Sequence, residues 1–167
     1  HKAFLHLLRS ASGMIRKKID DLFGRALIDS DRGALASLIY YPEEQISLVR
    51  HSCENFDEWC KITLYRLIDV CAEVASKYTR SKVRSLLPKD FAYIIDELLH
   101  ADESINKERY YEQIINTIIE IGNAVPFIIQ LSCLIQRLAI DKLHIIGDIF
   151  DRGPRADKIM NELMNFN

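Results

Sequence analysis

Apolar side chains recur every three or four residues through about the first 140 positions of this chain. The spacing is clearest from Phe4 to Phe23 and from Phe91 to Leu99. It places apolar groups along one face of an α-helix, so it favours a body of helices packed on a common core. A chain of 167 residues with 49% hydrophobic residues is long enough to bury such a core.

Capping and helix-breaking residues divide this pattern into separate helices. Ser, Thr, Asp and Asn are favoured just before a helix, Pro in its first turn, and Gly just after its end. The predicted elements are a helix over 4–23, a short helix capped by Asp31, a helix opening at Pro42, helices over 57–78, 80–87 and 89–100, a helix capped by Ser104 or Asn106 and ended by Gly122, and helices over 126–140 and 155–166. The helix over 57–78 is expected to be the longest, with Ile62 among its inward residues. Met164 is expected to face inward from the last helix.

One short segment departs from the helical pattern. Residues 143–146, Leu-His-Ile-Ile, are compatible with a β-strand and precede Gly147, which predicts a short buried strand. A strand needs partners for its backbone groups, so the rest of its sheet must lie elsewhere. The expected fold class is therefore mainly α, with one strand and a final helix from the edge of an incomplete α/β core.

The segment 147–153, Gly-Asp-Ile-Phe-Asp-Arg-Gly, directly follows this strand. Asp148 lies where α/β sheets commonly bind ligands, and a carboxylate there can bridge two hard divalent cations. Asp151 is close enough to orient a histidine, and Arg152 offers a planar fork that suits phosphate oxygens. The pattern is typical of a metal-assisted phosphatase site. The alternative is that Asp148 caps a turn while Asp151 and Arg152 form an exposed ion pair of little energetic value.

These residues resemble the second signature of the calcineurin-like dinuclear metallophosphatases. The resemblance implies that Asp148 bridges the metals, that Asp151 positions a catalytic histidine, and that Arg152 binds the substrate phosphate. The family's other signatures, an upstream Asp-x-His, a downstream Asn-His and further histidines, do not occur in this sequence. The resemblance therefore implies an internal fragment that supplies only part of a dinuclear site.

The long helical stretch before the motif is similar to the class III fructose-1,6-bisphosphatases of bacteria, as are segments 1–13 and 143–155. This resemblance implies three parts: a helix of or beside the catalytic core over 1–24, a helical insertion domain over 25–140, and a partial metallophosphatase core over 141–167. It also implies a cytoplasmic, manganese-dependent enzyme that hydrolyses fructose 1,6-bisphosphate to fructose 6-phosphate and phosphate in gluconeogenesis. The fragment alone is expected to be inactive.

Several partner classes are restricted by composition. The formal net charge of −2 provides no global field that would recruit nucleic acid. No stretch reaches the roughly 18 apolar residues of a membrane span. The expected partner is a sugar bisphosphate, and the unpaired backbone of 143–146 makes a homo-oligomer a further expectation. The rival interpretation is a regulatory or oligomerisation module of another calcineurin-like phosphoesterase, such as a protein phosphatase or a dinucleotide-polyphosphate hydrolase.

Two weaker features have ordinary structural explanations. The four cysteines, Cys53, Cys60, Cys71 and Cys133, are spaced as reduced, mostly buried thiols rather than as a zinc site. A local basic cluster is expected to be a solvated helix face, with an anionic ligand as the alternative. Its members are Lys77, Arg80, Lys82, Arg84 and Lys89.

Overall fold

The computed structural model describes residues 2–100, 107–139 and 156–164. Within these ranges all regular secondary structure is α-helical, which confirms a mainly α chain. The helices are α1 (Lys2–Phe23), α2 (Asp29–Tyr40), α3 (Pro42–Ser52), α4 (Phe56–Ala75), α5 (Arg80–Leu86), α6 (Ala92–His100), α7 (Lys107–Glu120), α8 (Ala124–Ala139) and α9 (Ala156–Met164). The predicted strand over 143–146 lies outside the described residues.

Helices α4 and α8 form the centre of the core. They pack against each other, and α8 also contacts α1, α2, α3, α5 and α7. Both helices bury apolar side chains along most of their length, because each has neighbours on more than one side. The largest fully buried side chains of the two helices are Leu64, Leu67, Phe127, Ile128, Leu131 and Leu134.

Local sequence signals begin several helices. The Asn55 side chain accepts a hydrogen bond of 3.1 Å from the backbone N–H of Glu58, and Thr79 accepts one of 3.3 Å from that of Lys82. Each bond satisfies an N–H group that has no partner within its helix. Pro42 occupies the first turn of α3, as predicted.

The end of α7 shows why Gly122 is needed there. Gly122 has a φ of 74°, a left-handed conformation that costs a glycine little. Its N–H donates to the Ile119 carbonyl at 2.9 Å, and the Asn123 N–H donates to the Ile118 carbonyl at 2.9 Å. This pair of bonds is a Schellman motif, and it confirms the predicted end of the helix. Ser104 and Asn106, the predicted caps at its start, lie outside the described residues.

Three predicted helix starts are wrong by a few residues. Helix α2 begins at Asp29 after Ile28, so Asp31 lies in its first turn instead of capping it. Helix α6 begins at Ala92, after a turn in which the Phe91 N–H donates to the Pro88 carbonyl at 3.3 Å. The Phe91 ring is perpendicular to that of Phe127, with centroids 5.0 Å apart. Helix α8 begins at Ala124, two residues before the expected Pro126.

The prediction for the helix over 57–78 needs correction. Helix α4 ends at Ala75, and with 20 residues it is shorter than α1, which has 22. Ile62 is 41% exposed, whereas Leu64 and Ile68 of the same helix are buried in the core. Met164, expected to face inward from the last helix, is also exposed.

Helix α1 packs against α2, α4 and α8. Ile15 and Ile19 are buried in the same core as the helices that follow them in the chain. The proposed division at residues 24 and 140 stays a prediction, since α1 can contact the helical body and still belong to another domain.

Candidate functional site

The predicted site residues, Asp148, Asp151 and Arg152, lie outside the described residues. The structure describes the two elements that flank them in sequence: α8, which ends at Ala139, and α9, which begins at Ala156. The roles of the three side chains therefore stay predictions.

The last turn of α8 is held by side chains from two other parts of the body. The Tyr78 hydroxyl donates to the Leu138 carbonyl at 2.9 Å, and the Gln136 side chain donates to the Ile39 carbonyl at 2.6 Å. Leu138 and Ala139 are both buried. The C-terminal end of α8 is thus anchored to α2 and to the turn that follows α4.

Within the described ranges, no group of three or more His, Cys, Asp or Glu side chains could hold a metal ion. No helix in the described part of the chain is long and apolar enough to cross a membrane.

A charged cluster of the helical body surrounds Asp96. This side chain is only 10% exposed, and its carboxylate accepts hydrogen bonds from Arg80 at 2.8 Å and from Arg84 at 2.7 Å. The Nδ1 atom of His100 lies 3.3 Å from the same carboxylate. The bonds from Arg84 and Arg80 lower the pKa of Asp96, and the bond with Asp96 raises the pKa of Arg84. The carboxylate is therefore ionised at neutral pH.

This cluster changes the interpretation of the basic residues. Lys77, Lys82 and Lys89 are exposed, as expected of a solvated face. Arg80 and Arg84 instead bind Asp96 of α6, which sequence reasoning placed on an apolar helix and did not select. Asp96 directly follows Ile94 and Ile95 on this helix, and that position could have indicated a carboxylate close to the core. A carboxylate there requires a cationic partner.

A second charged network joins α1 to α2. Asp20 accepts hydrogen bonds from Arg16 at 3.0 Å and from Arg32 at 2.7 Å, and Asp29 bonds to both arginines. The bond from Arg16 is the largest cause of a lowered pKa at Asp20. The Arg32 guanidinium also donates to the Leu27 carbonyl at 2.5 Å. Because its cations and anions are paired with one another, we interpret this network as a structural link between α1 and α2 rather than as a binding site.

The cysteines are free thiols, as expected. Cys60 and Cys71 are buried in the core, and burial raises their pKa values to about 11 and about 12. Cys53 and Cys133 are half-buried. At these pKa values the two thiols are protonated at neutral pH, and their burial agrees with the expectation of reduced, mostly buried cysteines.

Comparison with known proteins decides the family. The family model of Firmicute fructose-1,6-bisphosphatase matches residues 1–167. The chain belongs to this family. The resemblance inferred from the Gly-Asp-x-x-Asp-Arg-Gly segment and the helical stretch before it is thereby confirmed.

Curated relatives from this family carry the same enzyme name. The chain is 56% identical over 167 residues to a fructose-1,6-bisphosphatase class 3 of Clostridium acetobutylicum and 58% identical over 167 residues to one of Clostridium beijerinckii. A third, from Clostridium tetani, is 54% identical over 166 residues. Each alignment covers 99% of this chain and 25% of the relative, so the chain spans about a quarter of the length of these enzymes. No solved structure matches the chain.

Proposed function

We propose that this chain is part of a metal-dependent fructose-1,6-bisphosphatase, which hydrolyses fructose 1,6-bisphosphate to fructose 6-phosphate and phosphate in gluconeogenesis. The observation that carries the proposal is the family match, which extends over the whole chain and includes the segment 147–153. We further propose that the enzyme is cytoplasmic.

In this proposal three residues of the chain act at the active site. Asp148 ligates the metals, Asp151 positions a histidine, and Arg152 binds the substrate phosphate through a bidentate fork. Two bound manganese ions would supply charge stabilisation for attack on phosphorus and would lower the pKa of a water molecule. The described residues hold no metal site of their own, so the remaining ligands would come from other parts of the enzyme.

The helical body has a different role in the proposal. Its two charged clusters are internally paired, and its two buried cysteines have raised pKa values. We therefore assign the chemistry to the segment between α8 and α9. We propose that the helices are an insertion beside the catalytic core and that the 167-residue chain alone is inactive. The partner is a sugar bisphosphate, and a homo-oligomer is a further proposal.

The test uses the full-length enzyme that contains this chain, with Asp148→Asn as the variant. Asp21→Asn, the same chemical change at an exposed position on α1, is the matched control. We expect Asp148→Asn to lower phosphate release from fructose 1,6-bisphosphate by at least about 100-fold, because even groups that support a metal ligand are worth 10 to 100-fold. It should also lower the manganese bound per subunit.

Two results would contradict the proposal. Wild-type activity and manganese content in Asp148→Asn would remove this residue from the site. Manganese-dependent phosphatase activity in the isolated 167-residue chain would show that the chain holds a complete site and is not a part of one.

A further inference from the structure

The charged cluster of α5 and α6 holds more positive than negative charge. Arg80 and Arg84 lie one helical turn apart on α5, and both bind Asp96 of α6. Within the described residues, no other acid lies within ion-pair distance of either guanidinium. One carboxylate therefore serves two cations, and the cluster keeps a net positive charge.

The cluster of α1 and α2 provides the comparison. There Arg16 and Arg32 each contact both Asp20 and Asp29, so two cations face two anions. The charges of that cluster balance within the fold, whereas those of the α5–α6 cluster do not.

Each guanidinium of the α5–α6 cluster uses one edge to bind the acid. The Nε and Nη2 atoms of Arg80 donate to the Asp96 carboxylate at 3.4 and 2.8 Å, and those of Arg84 donate at 3.1 and 2.7 Å. A guanidinium has five N–H bonds in a fixed plane, so both N–H bonds of each Nη1 atom stay available. Asp96 is buried and both arginines are exposed, so these free edges are open to solvent.

Asp96 also holds the two guanidinium groups in place. Both Nη2 atoms lie within 2.8 Å of its Oδ2 atom, which makes the two groups close neighbours. The Nδ1 atom of His100 lies 3.3 Å from the other oxygen and supports the carboxylate from α6 itself. A long side chain loses conformational freedom when it binds a ligand, and here much of that loss has already occurred on folding.

We propose that Arg80 and Arg84 form a binding site for a phosphate group on the outer side of Asp96. The oxygens of a phosphate group can each accept hydrogen bonds, and planar N–H edges match that geometry, whereas a lysine offers only its charge. The net positive charge of the cluster attracts the dianion. Of the five members of the basic cluster, these are the two that an acid holds in a fixed position.

The experiment maps arginine modification in the full-length enzyme that contains this chain. The reagent p-hydroxyphenylglyoxal modifies accessible guanidinium groups, and mass spectrometry of the peptides gives a rate for each arginine. Rates are measured with increasing inorganic phosphate, with fructose 6-phosphate, and with sodium chloride at matched ionic strength. Arg25 and Arg137, which are exposed elsewhere on the body, are the internal references.

We expect inorganic phosphate at twice its dissociation constant to slow the modification of Arg80 and Arg84 about threefold, because about a third of the sites are then free. Arg25 and Arg137 should keep their rates, and sodium chloride should protect none of the four. Stronger protection by fructose 6-phosphate would assign the site to a phosphate ester, whereas protection by inorganic phosphate alone would assign it to the free ion.

Arg84→Lys is the variant that separates geometry from charge. It keeps a cation beside Asp96 but loses the planar edge, so the protection of Arg80 should need about tenfold more phosphate. Arg32→Lys makes the same change in the balanced cluster of α1 and α2, and it should leave the protection of Arg80 unchanged. Circular dichroism checks that both variants are folded, and the wild-type rates test the site even if a variant does not fold.

Several results would overturn this site. Equal slowing of all exposed arginines by phosphate, or equal effects of phosphate and sodium chloride, would show that the anion only screens charge. Protection of Arg80 in Arg84→Lys at the wild-type phosphate concentration would show that the two arginines do not act together. The proposed function is tested by a different readout, the activity of Asp148→Asn, so either proposal can fail while the other stands.

Discussion

Replacement of Asp96 by Asn tests how much the charged cluster that links α5 and α6 contributes to the stability of the fold. The change keeps the size of the side chain but removes the negative charge that Arg80 and Arg84 contact at 2.8 and 2.7 Å. It also turns an amide N–H₂ towards groups that are themselves donors. We therefore expect Asp96→Asn to lower the free energy of unfolding.

The size of the effect follows from the geometry. A hydrogen bond to a charged group exceeds a neutral one by about 1 kcal/mol, so the loss of charge at two guanidinium contacts should cost about 2 kcal/mol. A larger loss is not expected, because the Arg80 and Arg84 side chains are 49% and 57% exposed and water screens their charge. The measurement is urea denaturation of the 167-residue chain at pH 7, followed by far-ultraviolet circular dichroism.

The stability difference between wild type and Asp96→Asn should also depend on pH. The pKa of Asp96 is lowered in the folded chain, so the stabilisation is fully present above the ordinary carboxyl value of 3.8 and is lost as the pH falls below it. The difference in unfolding free energy between wild type and Asp96→Asn should shrink by up to about 1.4 kcal/mol for each pH unit below that value.

The control is Asp90→Asn, at an exposed position in the turn before α6. It should change the free energy of unfolding by less than about 0.5 kcal/mol. Equal stabilities of Asp96→Asn and Asp90→Asn at pH 7 would refute the argument that the cluster stabilises the fold. A difference between wild type and Asp96→Asn that stays constant from pH 7 to pH 3 would refute the ionic origin of the effect.

Two further predictions concern the core. Phe127→Ala should destabilise the chain by about 3–5 kcal/mol in urea denaturation, because removal of the fully buried ring leaves a cavity. Leu48→Ala, at an exposed position of α3, should have little effect. Similar losses of stability in the two variants would contradict the placement of the core. Ellman's reagent should react with the half-buried Cys53 much faster than with Cys60 and Cys71, whose pKa values are raised by burial. Cys53→Ser should lower the amplitude of the fast phase, and a fast phase of unchanged amplitude would show that Cys53 is not among the fast-reacting thiols.

The helical content could be predicted because its causes are local. Spacing of apolar residues, Pro42 in a first turn, Thr79 as a cap and Gly122 as an ending all act within a few residues of their own position. Helix starts were less predictable, because several adjacent residues can begin a helix and local signals do not choose sharply among them. Helix α6, which begins at Ala92 and not at Lys89, is an example.

The site could be predicted only as far as a compact motif allows. Asp148, Asp151 and Arg152 stand within five residues, so their chemistry was visible in the sequence, and the family match confirms the resemblance they carried. The further ligands of the predicted dinuclear site are not encoded nearby. The described helices add the contacts that hold the end of α8, but they do not test the three roles.

The sequence by itself determined that the chain is mainly helical and that it resembles the class III fructose-1,6-bisphosphatases, since periodicity, capping and a short motif are local properties. The tertiary structure decided which polar groups meet. The bonds of Asp96 with Arg80 and Arg84 join residues 16 and 12 positions apart, and the bond of Tyr78 with the end of α8 joins residues 60 positions apart. No local pattern specifies such pairs, because they form only after the apolar faces of the helices have packed and excluded water.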